Sequence, residues 1–170
     1  MKKILLSLFL SNLSLFSLNI GEIPKEIVVE NENGGQIDGT AWSSSMIKDK
    51  VYVLFYVDPD EKDTNNLFSE ALKAKNYSLE TYGTIAIVNL SATWLPNFAI
   101  ESALKKKQES YPNTTYVKDK TKFLVKEWEL QDDSSNVLVF NKKGELIYNY
   151  AGKLDDGEIQ KVLNLIDGNI

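Results

Sequence analysis

Seven consecutive apolar or aromatic residues, Val51-Tyr-Val-Leu-Phe-Tyr-Val57, stand out from the polar background of this chain. A run so rich in β-branched and aromatic side chains predicts a central strand covered on both faces. It stops abruptly at the acidic turn Asp58-Pro-Asp-Glu-Lys-Asp63. Helical spacing follows from about Thr64 to Lys75. Thr64 or Asp63 is the expected cap, and Leu67, Phe68, Ala71 and Leu72 are expected on one face. Thr84 to Asn89 reads as the next strand, and Ser91 to Pro96 as a loop holding Trp94. From about Asn97 to Gln108 a second helix gathers Ile100, Ala103 and Leu104. Lys105-Lys-Lys107 sits at its end, matched to the negative pole of the helix.

The second half repeats these signals in shorter pieces. Thr114 to Val117 predicts a strand, Phe123 to Trp128 a short helix, and Asn136 to Phe140 a strand. Asn141-Lys-Lys-Gly144 predicts a hairpin turn, and Glu145 to Ala151 the returning strand. The last helix has the clearest signature. Asp155 and Glu158 have capping-box spacing, Ile159, Val162, Leu163 and Ile166 form one stripe, and Gly168 stops it. Ahead of the central strand, Ile27-Val-Val29, the turn-like Asn31-Glu-Asn-Gly-Gly35 and Gln36 to Trp42 predict an amino-terminal β-hairpin. The order is β-β, β-α-β-α, short β and helix, then β-β-α. It predicts an α/β fold with a thioredoxin-like central mixed β-sheet flanked by helices. The expected organisation is one domain over 18–170, with its core at about 50–170.

The first residues read differently. Met1-Lys-Lys3 is a short positive region, and Ile4 to Phe16 is mostly Leu, Ile, Phe and Ser. This layout predicts a secretory signal peptide over 1–17, cleaved after Ser17, and hence a periplasmic protein with no stable membrane anchor after cleavage. Loss of Lys2 and Lys3 would leave 17 lysines against 24 acids, a net charge of −7. That balance opposes nucleic acid as a partner.

Composition narrows the chemistry. The 170 residues include no Cys and no His, and all 19 basic residues are lysines. Thiol-disulfide exchange, thiol peroxidase chemistry, thiolate metal sites and a Ser-His-Asp triad are therefore excluded. No arginine fork exists for phosphate or carboxylate. No cofactor is implied.

Several stretches in this order resemble the YtfJ family of periplasmic thioredoxin-fold proteins. They are Ile85-Ala-Ile-Val-Asn89, Tyr111-Pro112, Trp128-Glu-Leu130, Asp132-Asp-Ser-Ser135 and the Asn141–Gly144 turn. The resemblance spans about Lys50 to the carboxy terminus. It implies a fold and a compartment, and no reaction. In the wider thioredoxin superfamily, the places of the two redox cysteines fall near Asp60 and Asp63. The place of the cis-proline falls at Ser135.

Four candidate sites follow. Asp58, Asp60, Glu61 and Asp63 suit a divalent cation or a basic partner, or simply favour the helix amino terminus beside them. Ser134 and Ser135, with Asp132 and Asp133, suit a ligand or a lysine-activated nucleophile, or form a self-bonded turn. Trp94 is the best surface aromatic; Trp128 reads as core, and Tyr111 as half-buried packing. Lys105 to Lys107 reads as a solvated cap. The favoured function is a non-catalytic module binding a periplasmic protein or small ligand. The alternative is a hydrolase or metal-dependent enzyme built on Asp58 to Asp63.

Overall fold

The computed structural model describes residues 18–170, so the expected leader lies outside the described residues. The strands are β1 (Val28–Val29), β2 (Gly34–Gln36), β3 (Trp42–Ser43), β4 (Val51–Val57), β5 (Tyr82–Asn89), β6 (Thr114–Asp119), β7 (Ser135–Phe140) and β8 (Leu146–Ala151). The helices are α1 (Asn66–Lys75), α2 (Asn97–Ser110), α3 (Phe123–Trp128) and α4 (Asp156–Asp167). Six strands form one mixed sheet in the order β2-β6-β5-β4-β7-β8. The β4/β5 and β5/β6 pairs are parallel, because a helix carries the chain back between them. The β4/β7, β7/β8 and β2/β6 pairs are antiparallel.

Alternation along the strands divides the core between two faces. Leu54, Tyr56, Ile85 and Ile87 look towards α3 and the β1/β3 pair, where Trp42, Trp128 and Phe140 fill the space. Val51, Val53, Val137 and Val139 look the other way, onto Phe68 and Leu72 of α1 and Val162, Leu163 and Ile166 of α4. On that same face α2 packs separately, with Ile100 and Leu104 against Leu90 and Tyr116. Among the described residues no helix is long and apolar enough to cross a membrane.

The amino-terminal hairpin takes a different form from the one expected. Val28–Val29 does pair antiparallel, but with Trp42–Ser43. Gly34–Gln36, whose composition reads as turn, is instead an edge strand on β6. Gly34 has φ +130, and a Cβ there would lie 1.8 Å from the carbonyl oxygen of Lys118. Its glycine thus serves close approach between strands as well as chain reversal. Gly34→Ala is expected to detach β2 from β6 while β4 and β7 stay paired. Amide hydrogen exchange checks this: lost protection confined to β2 and β6 is the expected pattern, and retained protection at Gly35 and Gln36 would refute it.

Two details of α1 also differ. Leu67 is 63% exposed, so the buried stripe is Phe68 and Leu72. The cap position belongs to Asn65, and its side chain makes no capping bond. In α4 the expected cap forms, with Asp155 Oδ1 accepting from the Glu158 amide at 2.8 Å. The carboxylate of Glu158 does not reach back; it accepts from the Tyr148 hydroxyl at 2.8 Å.

Candidate functional site

The carboxyl ends of β4 and β5 meet the amino end of β7 at one edge of the sheet, and the acidic loop leaves from there. The Asp58 amide donates to the Ser134 carbonyl at 3.0 Å. Val57 stands opposite Ser135 in the β4/β7 register. The two serines therefore border the acidic loop, as expected. Both are buried, Ser135 to 2% exposure. The Ser135 hydroxyl meets an amide, not a base: it accepts from Asn65 Nδ2 at 2.9 Å. The same amide donates to the Gly152 carbonyl at 3.0 Å, and Asn65 Oδ1 accepts from the Leu154 amide at 3.0 Å. One buried side chain thus ties the start of α1 to β7 and to the connection into α4. Among the described residues there is no cis peptide bond, at Ser135 or elsewhere.

The acids do not converge. Asp58 is 5% exposed and its Oδ1 accepts from the Asp60 amide at 2.8 Å. Asp60, Glu61 and Asp63 face solvent. Among the described residues no group of three or more acids is arranged to hold a metal ion. Lys122 is paired with acids rather than set against a serine. Lys122 Nζ bonds Asp132, which also accepts from Asn89 Nδ2 at 3.0 Å. Burial pushes the Asp132 carboxyl up, but the Lys122 ammonium and the Asp133 backbone outweigh it and hold the group below the usual range.

Asp58 goes the other way. Burial, with Asp60, Asp133 and Glu61 nearby, raises its carboxyl above the ordinary 3.8. The folded protein then holds that proton more tightly than the unfolded chain. Ionised Asp58 therefore destabilises the fold at neutral pH, and the penalty fades as pH falls through the raised value towards 3.8. Asp58→Asn keeps an acceptor for the Asp60 amide and removes the charge. It is expected to raise Tm at pH 7, with the gain shrinking as pH falls through the raised value towards 3.8. A variant no more stable than the parent at pH 7 would contradict this.

Beside this edge the sheet is incompletely covered. A groove of about 710 Å³ runs between α1 and α2, within the range of small-molecule sites. Phe55, Val57, Ala86 and Val88 form its floor, and all four are only half-buried although they lie on central strands. One end reaches Pro59, Asn65 and Ser135. The other lies by Lys73, Lys107 and Tyr111. Trp94 is 86% exposed and Phe98 76%. They alternate in sequence with Leu95 and Ala99, which line the groove.

Residues 13–169 match the family described as "Bacterial protein of unknown function (YtfJ_HI0045)". The chain belongs to the YtfJ family. It is 27% identical over 145 residues to the uncharacterized protein YtfJ of Escherichia coli, covering 83% of this chain and 77% of that one. It is 25% identical over 130 residues to an uncharacterized protein of Haemophilus influenzae, covering 75% and 71%. Solved structures place this YtfJ-family chain in the thioredoxin fold. A putative protein disulfide isomerase from Bacteroides thetaiotaomicron aligns with TM-score 0.63 at 12% identity, over 89% of this chain and 90% of that one. A putative thiol:disulfide interchange protein DsbE from Chlorobium tepidum aligns with TM-score 0.62 at 12% identity, over 89% and 98%. Unlike any thiol enzyme, this YtfJ-family member has no cysteine.

Sequence reasoning missed Asn65, Asp119 and the groove. Asp119 is fully buried at the end of β6. Its position just ahead of the short helix α3 was the available signal. For Asn65 there was none, because its three partners lie 70 to 89 residues away in sequence.

Proposed function

We propose that this protein is exported and uses its thioredoxin fold to bind a small apolar ligand rather than to carry out catalysis. The observation that carries the reading is the open groove on the α1/α2 face, which runs up to the edge occupied by Asn65 and Ser135. Half-buried side chains on central strands are costly to leave wet, and ligands commonly cover such floors. Absence of cysteine supports a scaffold freed from redox chemistry. A hydrolytic or metal-dependent use of Asp58 to Asp63 has less support, since Asp60, Glu61 and Asp63 point outward and Ser135 meets an amide.

A neutral fluorophore, N-phenyl-1-naphthylamine, tests the binding half. Saturable one-to-one enhancement is expected from the folded protein, with loss in Ala86→Phe, which fills the floor. No saturable enhancement would refute a ligand groove. Cell fractionation with mass spectrometry of the amino terminus tests export. A periplasmic chain beginning near Leu18 is expected, and an intact Met1 on a cytoplasmic chain would overturn it.

A further inference from the structure

We infer that the groove takes a single-chain fatty acid, carboxylate at the Lys73/Lys107 end and alkyl tail along β5 towards Ser135; this rests on the groove being a ligand site, as proposed above. The two ends of the groove differ in charge. Four charged residues line it: Lys62, Glu70, Lys73 and Lys107. That is an excess of cations in a chain of net charge −5. Lys62 lies 3.7 Å from Asp63 and so is compensated. Lys73 and Lys107 have no carboxylate in ion-pair range among the described residues.

These two ammonium groups share one end. Each lies in the last turn of its helix. Lys73 Nζ sits 5.9 Å from the centre of the Tyr111 ring, and the Tyr111 amide donates to the Lys107 carbonyl at 2.8 Å. Two helix carboxyl ends also point there, each equivalent to about half a negative charge. Glu70 lies one turn further back on α1, so the two ammonium groups are the lining charges nearest Tyr111 and this end favours an anion. The far end favours the reverse, because the acidic loop and Asp133 stand beyond it. A carboxylate placed there would meet Asp58, Asp60, Glu61 and Asp63.

Asn66, Ser69 and Thr84 also line the groove, but its floor between the ends is apolar. Floor groups are Phe55, Val57, Ala86 and Val88. Gly83 to Val88 of β5 spans about 17 Å, a length suited to an extended acyl chain. Small side chains at Thr84 and Ala86 deepen the trough along this line. The exposed Trp94 and Phe98 flank the wall next to Leu95 and Ala99, where a tail would enter.

Titration calorimetry on the purified protein would compare dodecanoate, dodecan-1-ol and dodecylamine, which share a tail and differ in head group. Dodecanoate is expected to bind most tightly and the amine least. Exposed ion pairs are individually weak, so Lys73→Gln with Lys107→Gln is expected to weaken dodecanoate about tenfold and leave the alcohol within about twofold. Ala86→Phe is expected to abolish all three. If that variant fails to fold, Ala103→Trp blocks the groove from the α2 wall. Equal binding of the three head groups, or a double variant that binds dodecanoate like the parent, would overturn the inference. So would a protein that binds the neutral fluorophore but does not release it to dodecanoate, and that result would leave the groove itself standing as a ligand site. Absence of binding by fluorophore and dodecanoate together would remove both.

Discussion

Asp119→Ala is expected to lower stability by about 3–5 kcal/mol, a large loss for a single polar residue. Its carboxylate is fully buried and accepts four hydrogen bonds. Tyr56 OH and the Leu124 amide donate to Oδ2, both at 3.0 Å. The Thr121 and Phe123 amides donate to Oδ1 at 3.0 and 2.8 Å. Alanine would strand donors that water cannot readily reach, and each stranded donor costs about 1–3 kcal/mol. The first turn of α3 would lose its anchor with them. At this chain length the loss corresponds to a fall in Tm of about 10 °C. Tyr56→Phe removes one donor and keeps the carboxylate, so it should cost only about 1 kcal/mol. Urea unfolding measures both. An Asp119→Ala loss as small as that of Tyr56→Phe would mean that water replaces the carboxylate.

Trp128→Ala is expected to cost about 3–5 kcal/mol, chiefly through the cavity it leaves. The indole is buried between Trp42, edge-on at 6.5 Å, and Phe140 at 6.1 Å. Its Nε1 donates to the Lys25 carbonyl at 2.9 Å, which fastens the amino-terminal segment to α3. Trp42 offers a contrast within the same core. Its Nε1 is buried with no hydrogen-bond partner. Replacing Trp42 by Phe loses volume but also removes an unsatisfied donor. Replacing Trp128 by Phe loses volume and a hydrogen bond. Trp128→Phe should therefore destabilise more than Trp42→Phe, by about 1 kcal/mol or more. Equal losses would show that the bond to Lys25 contributes nothing.

Much of this fold is legible in the chain itself. β4 is legible because seven successive residues suited to burial leave no other reading, and α4 because its cap, stripe and stop agree. The turn of the hairpin was misread for a physical reason. Glycine signals conformational freedom, and composition does not say whether that freedom makes a turn or lets two backbones approach. At Gly34 it does the second. The site was half legible. Strand order places Ser134 and Ser135 at the acidic loop. Asp58 looks like its three acidic neighbours in sequence, yet it alone is buried. The groove left no trace in the pattern. Ala86 and Val88 alternate with Ile85 and Ile87 as they would on any covered strand, and only the separation of α1 from α2 leaves them partly open.

The two walls of that groove are unequally secured. α1 shares a core with α4, and Asn65 binds its first turn to β7 and to the chain entering α4. α2 rests on a smaller core of its own, centred on Leu90, Ile100, Leu104 and Tyr116. Segments with fewer buried contacts open at lower free energy than the rest of a domain. Opening of the groove is therefore expected from α2 before α1, and faster amide hydrogen exchange along α2 is its sign. A ligand of the proposed kind would then enter past α2 without disturbing the central sheet.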